Sequence, residues 1–454
     1  MYQLFNLHFS AYSFALDSRR LVTVTSSAIP SLAINEKALA KNVAPTPVPT
    51  IPNLTVSPIL DHHPKDCLVC IKIFKSHPHL STISLEELSL SKVGFGVIGL
   101  KGVGRTHINA IMNVNEAELV AVADIKEEIG REVSSRFNVE WHRDYEEMLK
   151  REDIDAVTIC TPHYLHHPMA MKALEYGKNV LVEKPMAIRV SEADEMVMSA
   201  RRRDLKLGVV FQYRFIPVYR EVKRMIEGGE LGDIYRVCME ICTFRSQPYY
   251  DRDPWRGKWA TEGGGVLINQ AIHHLDLLQW LVGKPSKLQA WVDTVLHNIE
   301  VEDMVNSMVL FENGAYGVIQ ASSIDLPSKM RLEISGDRGK LIIDGNDVRR
   351  MTLERTVREY ITKGEIWTRP SFKWVEVEGD RRGPGHTAVI EDFAKAILED
   401  REPMVPGEDG RVSLEIVNAM ILSSFEGRAV KFPIDREAYD RLMDRLSSKS
   451  KGHR

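Results

Sequence analysis

The sequence predicts an α/β protein in which strand–helix alternation, the mark of a parallel sheet, gives way to hairpins. Three observations carry this. A glycine turn at 99–104 separates an apolar run from the start of a helix. Apolar runs then alternate with helical stretches as far as about residue 214. Beyond that point, short apolar runs flank tight glycine turns.

The first element is Val93-Gly94-Phe95-Gly96-Val97-Ile98, followed by Gly99-Leu100-Lys101-Gly102-Val103-Gly104 and then Arg105 to Ile111, which can open a helix. A strand, a glycine turn and a helix in this order bring helix N–H groups against a pyrophosphate, as in a Rossmann unit. The next apolar strand, Leu119 to Ala123, ends at Asp124. An acid there suits the hydroxyls of an adenosine ribose and repels a 2′-phosphate, so NAD is expected over NADP. The turn departs from G-x-G-x-x-G: Lys101 stands where the second glycine falls, and an extra glycine follows at 102. Lys101 either swings out or sets its ammonium near the pyrophosphate. Together with Lys126 it keeps NADP open.

Asp155 to Cys160 reads as a buried strand stopped by Thr161-Pro162, with a helix over about 167–176. Asn179 to Val182 is a further strand, ending in Glu183-Lys184-Pro185. Ligands of parallel sheets bind at the carboxyl ends of strands, where Thr161, His166 and Lys184 fall. Hairpins are expected around Glu312-Asn313-Gly314 and Gly336-Asp337-Arg338-Gly339.

Composition narrows the class. The 454 residues carry 59 basic and 63 acidic side chains, a net charge of −4. That leaves no field for gripping nucleic acid or an anionic membrane. No apolar run reaches the ~18–20 residues of a membrane span. Five cysteines point away from a disulfide scaffold and toward a reducing, cytoplasmic setting.

Residues 1–91 are a different material, with 7 basic and 6 acidic residues and six prolines between 30 and 58. They are expected to be a disordered extension, or to precede a true start near Leu88–Val93, since no methionine falls between Met1 and Met112. Cys67 and Cys70 beside His62, His63, His77 and His79 have the residue types of a zinc site. The patch also resembles a short iron–sulfur cysteine motif, but the further cysteines that motif needs are missing. It is taken as an accidental cluster. His166-His167 has no partners at ligand spacing, so no metal is assigned.

The glycine turn, Asp124, Thr161 to His166 and Glu183-Lys184-Pro185 together resemble the glucose–fructose oxidoreductase/inositol dehydrogenase (Gfo/Idh/MocA) family. So do Gln212-Tyr213-Arg214-Phe215, Trp255-Arg256-Gly257 and Gly263 through Asp276. The resemblance runs from about 92 to 435. It implies a Rossmann NAD-binding domain at 92–214. A C-terminal domain at 215–454 follows, built on a large open, mainly antiparallel sheet and serving substrate and oligomer contacts. It also implies a homodimer or homotetramer. The implied reaction is hydride transfer between nicotinamide and a secondary alcohol of a sugar, nucleotide-sugar or cyclitol.

Such an oxidation needs a base for the hydroxyl proton and positive charge for the developing alkoxide. Lys184 and His273 are the expected acid/base pair. Asn269, His273 and Asp276 are spaced to share one helix face. Asn269, Asp276, Arg214, Tyr213, Trp255 and Arg256 are expected at the substrate. Gly99, Lys101, Gly102, Val103, Gly104, Asp124, Thr161, Pro162, His166, Glu183, Lys184 and Gln212 are expected at the cofactor. Family members of the inositol type often carry aspartate where Asn269 stands. Asn269 with Tyr249-Tyr250 and Trp255-Arg256-Gly257 looks closer to members acting on nucleotide-linked sugars. Two other readings stay open: a non-catalytic dinucleotide sensor on this fold, and a reductase of imines or other carbonyls.

Overall fold

The computed structural model describes residues 21–25, 55–59, 92–345 and 347–449. Two units divide the chain, 1–91 and 92–454. In the first unit, strands β1 (Leu21–Thr25) and β2 (Thr55–Ile59) pair antiparallel. The expected disorder of 1–91 otherwise lies outside the described residues, as does the Cys67/Cys70 patch.

The second unit opens with β3 (Val93–Ile98), α1 (Val103–Met112), β4 (Ala117–Ala123), α2 (Glu127–Phe137), β5 (Glu140–His142) and α3 (Tyr145–Leu149). It continues with β6 (Ala156–Ile159), α4 (His166–Glu175), β7 (Asn179–Val182), α5 (Val190–Arg203) and β8 (Leu207–Val209). The six strands form a parallel sheet in the order β5-β4-β3-β6-β7-β8. Its inner strands β3, β6 and β7 are almost wholly buried, so their sequences run apolar rather than alternating. The order reverses beside β3, which sets a crevice at the carboxyl ends of β3 and β6.

Next come α6 (Pro217–Glu227), β9 (Ile234–Cys242), α7 (Gln247–Asp251), a π-helical turn at Leu267–Ala271 and α8 (Ile272–Val282). The hairpin region holds β10 (Pro285–Asp293), β11 (Met304–Phe311), β12 (Tyr316–Ser322), β13 (Lys329–Gly336), β14 (Gly339–Asp344) and β15 (Asp347–Leu353). Then follow α9 (Val357–Lys363), β16 (Phe372–Glu376), α10 (Gly385–Leu398), α11 (Gly407–Glu426), β17 (Val430–Lys431) and α12 (Arg436–Lys449). Nine strands make one open sheet, β16-β15-β14-β13-β9-β12-β11-β10-β17, antiparallel except where β9 and β12 run parallel. Both expected hairpins, β11–β12 and β13–β14, are present.

One face of this sheet carries alternate apolar residues such as Ala290, Val309 and Ile319 into the core. Helix α11 covers it there: Ala290 N–H donates to Ser423 Oγ at 3.1 Å. Helices from beyond residue 214 also pack against the first sheet. Phe393 of α10 packs on Phe95 of the first sheet, with ring centroids 6.5 Å apart. Asn418 of α11 accepts from Val190 N–H at the start of α5, at 2.9 Å. The C-terminal helices thus clamp the two sheets into one core.

Candidate active site

The glycine turn is shaped by contact. Gly99 and Gly102 have φ of +88° and +58°, a region L side chains avoid. A Cβ on Gly104 would lie 1.9 Å from the Gly99 carbonyl oxygen. The extra glycine at 102 therefore supplies the left-handed step just before α1, whose first residue is Val103. The N-terminus of α1 follows the carboxyl end of β3, with Gly104 N–H donating to the Lys101 carbonyl at 3.3 Å and Arg105 N–H to the Gly102 carbonyl at 3.2 Å. Asp124 lies at the end of β4, accepting from Leu100 N–H at 2.9 Å and Lys126 N–H at 2.8 Å. Both bonds hold the carboxylate beside the glycine turn. Lys101 swings away from the turn and pairs with Asp253 at 2.7 Å.

At the end of β7, Lys184 is the central cation. Its Nζ donates to the Asn269 carbonyl at 2.9 Å and to Asn269 Oδ1 at 3.3 Å. Burial lowers the ammonium's pKa, although neighbouring Glu183 opposes that shift. Asn269 Nδ2 in turn donates to Glu262 Oε1. Glu262 is fully buried, which raises its pKa, and it also accepts from Gly257 N–H. His273 packs edge-on to Phe211 and against Tyr213, with ring centroids 5.7 and 5.1 Å away. Burial and the Lys184 charge hold its pKa well below the usual value, so its imidazole is neutral at pH 7.

Asn269 sits in the π-helical turn, not in a regular helix. A Cβ on Gly265 would lie 1.9 Å from the Glu302 carbonyl oxygen, so the triple glycine lets two backbones meet. Glu302 Oε1 accepts from Gly265 N–H at 2.8 Å and Leu267 N–H at 3.0 Å, capping the turn from within. Burial pushes the Glu302 carboxyl up to about 7. The π-turn precedes α8, and while Asn269 bonds Lys184, Asp276 turns to Arg214 instead of sharing that site.

Several expectations are corrected here. Arg214 and Asp276 are 1% and 0% exposed and pair bidentately, at 2.8 and 2.6 Å. Asp409, Ser413 and Gln279 complete that cluster. With every bonding group turned inward, the pair braces α8 against α11 rather than touching substrate. His166 is 1% exposed, and its ring nitrogens face the Thr161 and Pro185 carbonyls at 2.7 and 2.6 Å. It fastens two turns together instead of reaching a cofactor.

Thr161, Pro162 and Gln212 follow β6 and β8 at the same edge as Lys184. Trp255 stacks near His163 at 4.7 Å and beneath the Arg256 guanidinium at 4.4 Å. A cavity of about 470 Å³ is lined by Arg256 together with Tyr250, Asp253, Lys258 and Glu300 among others.

Sequence reading missed Glu262, Glu302 and the partners of Glu183. Glu183 Oε1 lies 2.9 Å from His107 Nε2 and 3.3 Å from His386 Nε2; burial pushes its carboxyl up, but these two histidines overcome that and hold it well below the usual range. The three ligand atoms lie within 4.8 Å of one another, the one such group among the described residues. His107 Nε2 is at hydrogen-bond distance from Glu183 Oε1, and His386 stands slightly farther off as an ion-pair partner. Gln212 Oε1, Arg245 Nε, Gln270 Oε1 and His273 Nδ1 are among the buried polar atoms without a partner. Such atoms are uncommon in folded proteins. The helix-end amides, Asp124 and these atoms together fit a dinucleotide and a polar substrate.

A parallel dinucleotide sheet joined to a second sheet, with a buried lysine between them, defines a nicotinamide-dependent oxidoreductase. The chain belongs to the Gfo/Idh/MocA family. The model for the oxidoreductase family's NAD-binding Rossmann fold matches residues 93–211, and that for the GFO/IDH/MocA C-terminal domain matches 219–342. The WlbA dehydrogenase from Bordetella pertussis, solved with NADH and UDP-GlcNAcA, is 30% identical with a TM-score of 0.65. That match covers 76% of this chain and 100% of the other. Myo-inositol 2-dehydrogenase from Thermotoga maritima is 26% identical over 343 residues, 74% of this chain and 97% of its own. Levoglucosan dehydrogenase from Pseudarthrobacter phenanthrenivorans is 26% identical over 69% of this chain and 89% of its own. Among the described residues no helix is long and apolar enough to cross a membrane.

Proposed function

We propose that the chain transfers a hydride between NAD and a secondary alcohol of a sugar, nucleotide-sugar or cyclitol. The observation that carries this reading is Lys184: a buried ammonium at the carboxyl end of β7, tied to Asn269, with the neutral His273 close enough to feel its charge. When bound, the nicotinamide ring accepts or returns the hydride. The N-terminal amides of α1 and the 99–104 turn would hold the pyrophosphate. Asp124 would hold the adenosine ribose and disfavour NADP. Thr161, Pro162 and Gln212 would line the edge where the nicotinamide lies.

Two of the three Lys184 N–H groups go to Asn269, and the third is left for a substrate hydroxyl. Held there, the ammonium stabilises the alkoxide that forms as hydride leaves. His273 takes the hydroxyl proton on its neutral ring. Tyr213, Trp255 and Arg256 wall the substrate side. Relatives solved with NADH and a nucleotide sugar, or named for inositol and levoglucosan, support this class of substrate.

Trp291, Met308, Tyr316 and Val318 lie exposed on one face of β10–β12, which supports a homodimer or homotetramer through that face. Light scattering on Tyr316→Glu tests this, with a shift to monomer expected. Cys160, Cys238 and Cys242 are free thiols, in keeping with a cytoplasmic setting.

The experiment is NAD⁺ reduction, followed at 340 nm, across inositols, anhydrosugars and UDP-linked sugars, with native mass spectrometry of co-purified ligand. NADH formation with at least one alcohol supports the proposal. NAD binding with no turnover of any of them would favour the sensor.

A further inference from the structure

Three guanidinium groups gather on one tyrosine beside the Lys184 site. Arg245, Arg252 and Arg256 converge on the Tyr249 ring, at 5.1, 6.0 and 4.5 Å from its centroid. Asp253 pairs with Lys101 at 2.7 Å, Arg252 at 3.1 Å and Arg256 at 3.4 Å, so one carboxylate answers three cations. Glu262 lies 3.8 Å from Arg256 but already accepts from Asn269 and Gly257.

Arg245 has no carboxylate partner among the described residues. Its Nη1 donates to the Phe244 carbonyl at 2.8 Å, and its Nε is buried with no partner. His297 pins the segment through the Arg245 carbonyl at 2.9 Å. Beside it, the Tyr249 hydroxyl accepts from Arg256 Nη1 at 2.6 Å and Gln270 Nε2 at 3.1 Å. That leaves the tyrosine's own proton to donate. Burial is the main force against the Lys184 ammonium, but the Arg256 and Arg245 charges add to it, so both guanidinium groups lie within its field.

A guanidinium with a buried, unpartnered N–H is costly unless something pairs with it. The planar fork of arginine matches a carboxylate or phosphate, which takes two parallel N–H bonds at once. A neutral sugar hydroxyl can accept such a bond but brings no charge to pair with the guanidinium. We propose that Arg245, with Arg256 and Tyr249, forms an anion subsite for a carboxylate or phosphate ester carried by the substrate, so that the enzyme selects acidic over neutral sugars. This rests on the sugar-alcohol reading above and adds the charge of the substrate to it. Arg245 is then a specificity-determining residue, distinct from the Lys184 and His273 pair.

The test measures binding to the NADH-loaded full chain by calorimetry, and turnover with NAD⁺. The probes are glucose, glucuronate, UDP-glucose and UDP-glucuronate. Acidic probes are expected to bind roughly 10–100-fold tighter than glucose, the range of a hydrogen-bonded charge pair. Glucuronate against UDP-glucose tells a sugar carboxylate from a phosphate ester. Arg245→Met should abolish the preference, and Arg245→Lys should restore part of it. Unchanged NADH affinity in both variants shows that they are folded. Equal affinity for glucose and all acidic probes, or a preference that survives in Arg245→Met, overturns the subsite. Selective anion binding that depends on Arg245, with no alcohol reducing NAD⁺, instead removes the reaction reading and leaves the subsite standing.

Discussion

Lys184 and Asn269 join the two sheets through a double contact, the ammonium reaching both the backbone carbonyl and the side-chain oxygen of the asparagine. The lysine comes from the end of a parallel strand and the asparagine from a π-turn. Placement of the Lys184 ammonium therefore depends on the geometry of that turn.

Asn269→Ala removes the side-chain acceptor for Lys184 and the donor to Glu262. Turnover is expected to fall about 10–100-fold, the scale of one or two charged hydrogen bonds, with NADH affinity nearly unchanged. Steady-state rates with NADH titration by fluorescence check this. Equal loss of NADH binding would place the residue in the fold instead.

Glu302 makes stability depend on pH with a definite sign. Its carboxyl is raised to about 7 in the fold and returns to about 4.5 when unfolded. The folded state therefore holds the extra proton between those values, and this contribution to stability is lost as pH rises through 7. Glu302→Gln keeps an acceptor for Gly265 and Leu267 but cannot ionise. The variant should gain on wild type as pH rises from 5 to 8, by on the order of 2–3 kcal/mol. Urea unfolding at several pH values measures the difference, and a constant gap would contradict it. The buried histidines act oppositely. His163, His166, His273 and His274 all have lowered values, so their unfolded forms bind protons first. Both proteins should weaken as pH falls below about 6.5.

Asp124 bears on cofactor choice. Asp124→Ser with Ile125→Arg removes a carboxylate that would face a 2′-phosphate and adds a cation beside it. The ratio of NADP to NAD efficiency should rise by about 10–100-fold. A wild-type enzyme that already prefers NADP would shift the weight to Lys101 or Lys126.

Glu183 Oε1 lies 2.9 Å from His107 Nε2, at hydrogen-bond distance, and 3.3 Å from His386 Nε2, and the sequence assigns no metal here. Prolonged dialysis against EDTA should leave turnover unchanged. A loss restored by zinc would turn the trio into a metal centre.

The parts legible in sequence were those carried by local pattern. Strand β3, the glycine turn and Asp124 lie within one strand–helix–strand unit, and the β11–β12 hairpin is marked by Asn313-Gly314. What could not be read was pairing across the fold. Arg214 meets Asp276 across 62 residues, and Lys101 meets Asp253 across 152. Local spacing carries no information about such contacts. The π-turn is a subtler case: α-helical spacing put Asn269 and Asp276 on one face, but Asn269 bonds Lys184 while Asp276 turns to Arg214. Glu262 and Glu302 look like ordinary surface acids in the sequence, and only burial shows otherwise.

The most direct test of the account is single-turnover NAD⁺ reduction by Lys184→Met and His273→Ala on the true substrate, alongside NAD affinity. Each variant should lose roughly 10²–10⁴-fold in the hydride step, the scale of acid–base and electrostatic assistance, while binding NAD as wild type does. Near-wild-type turnover in both would contradict the acid/base assignment, and collapse of NAD binding in both would make them supports of the fold.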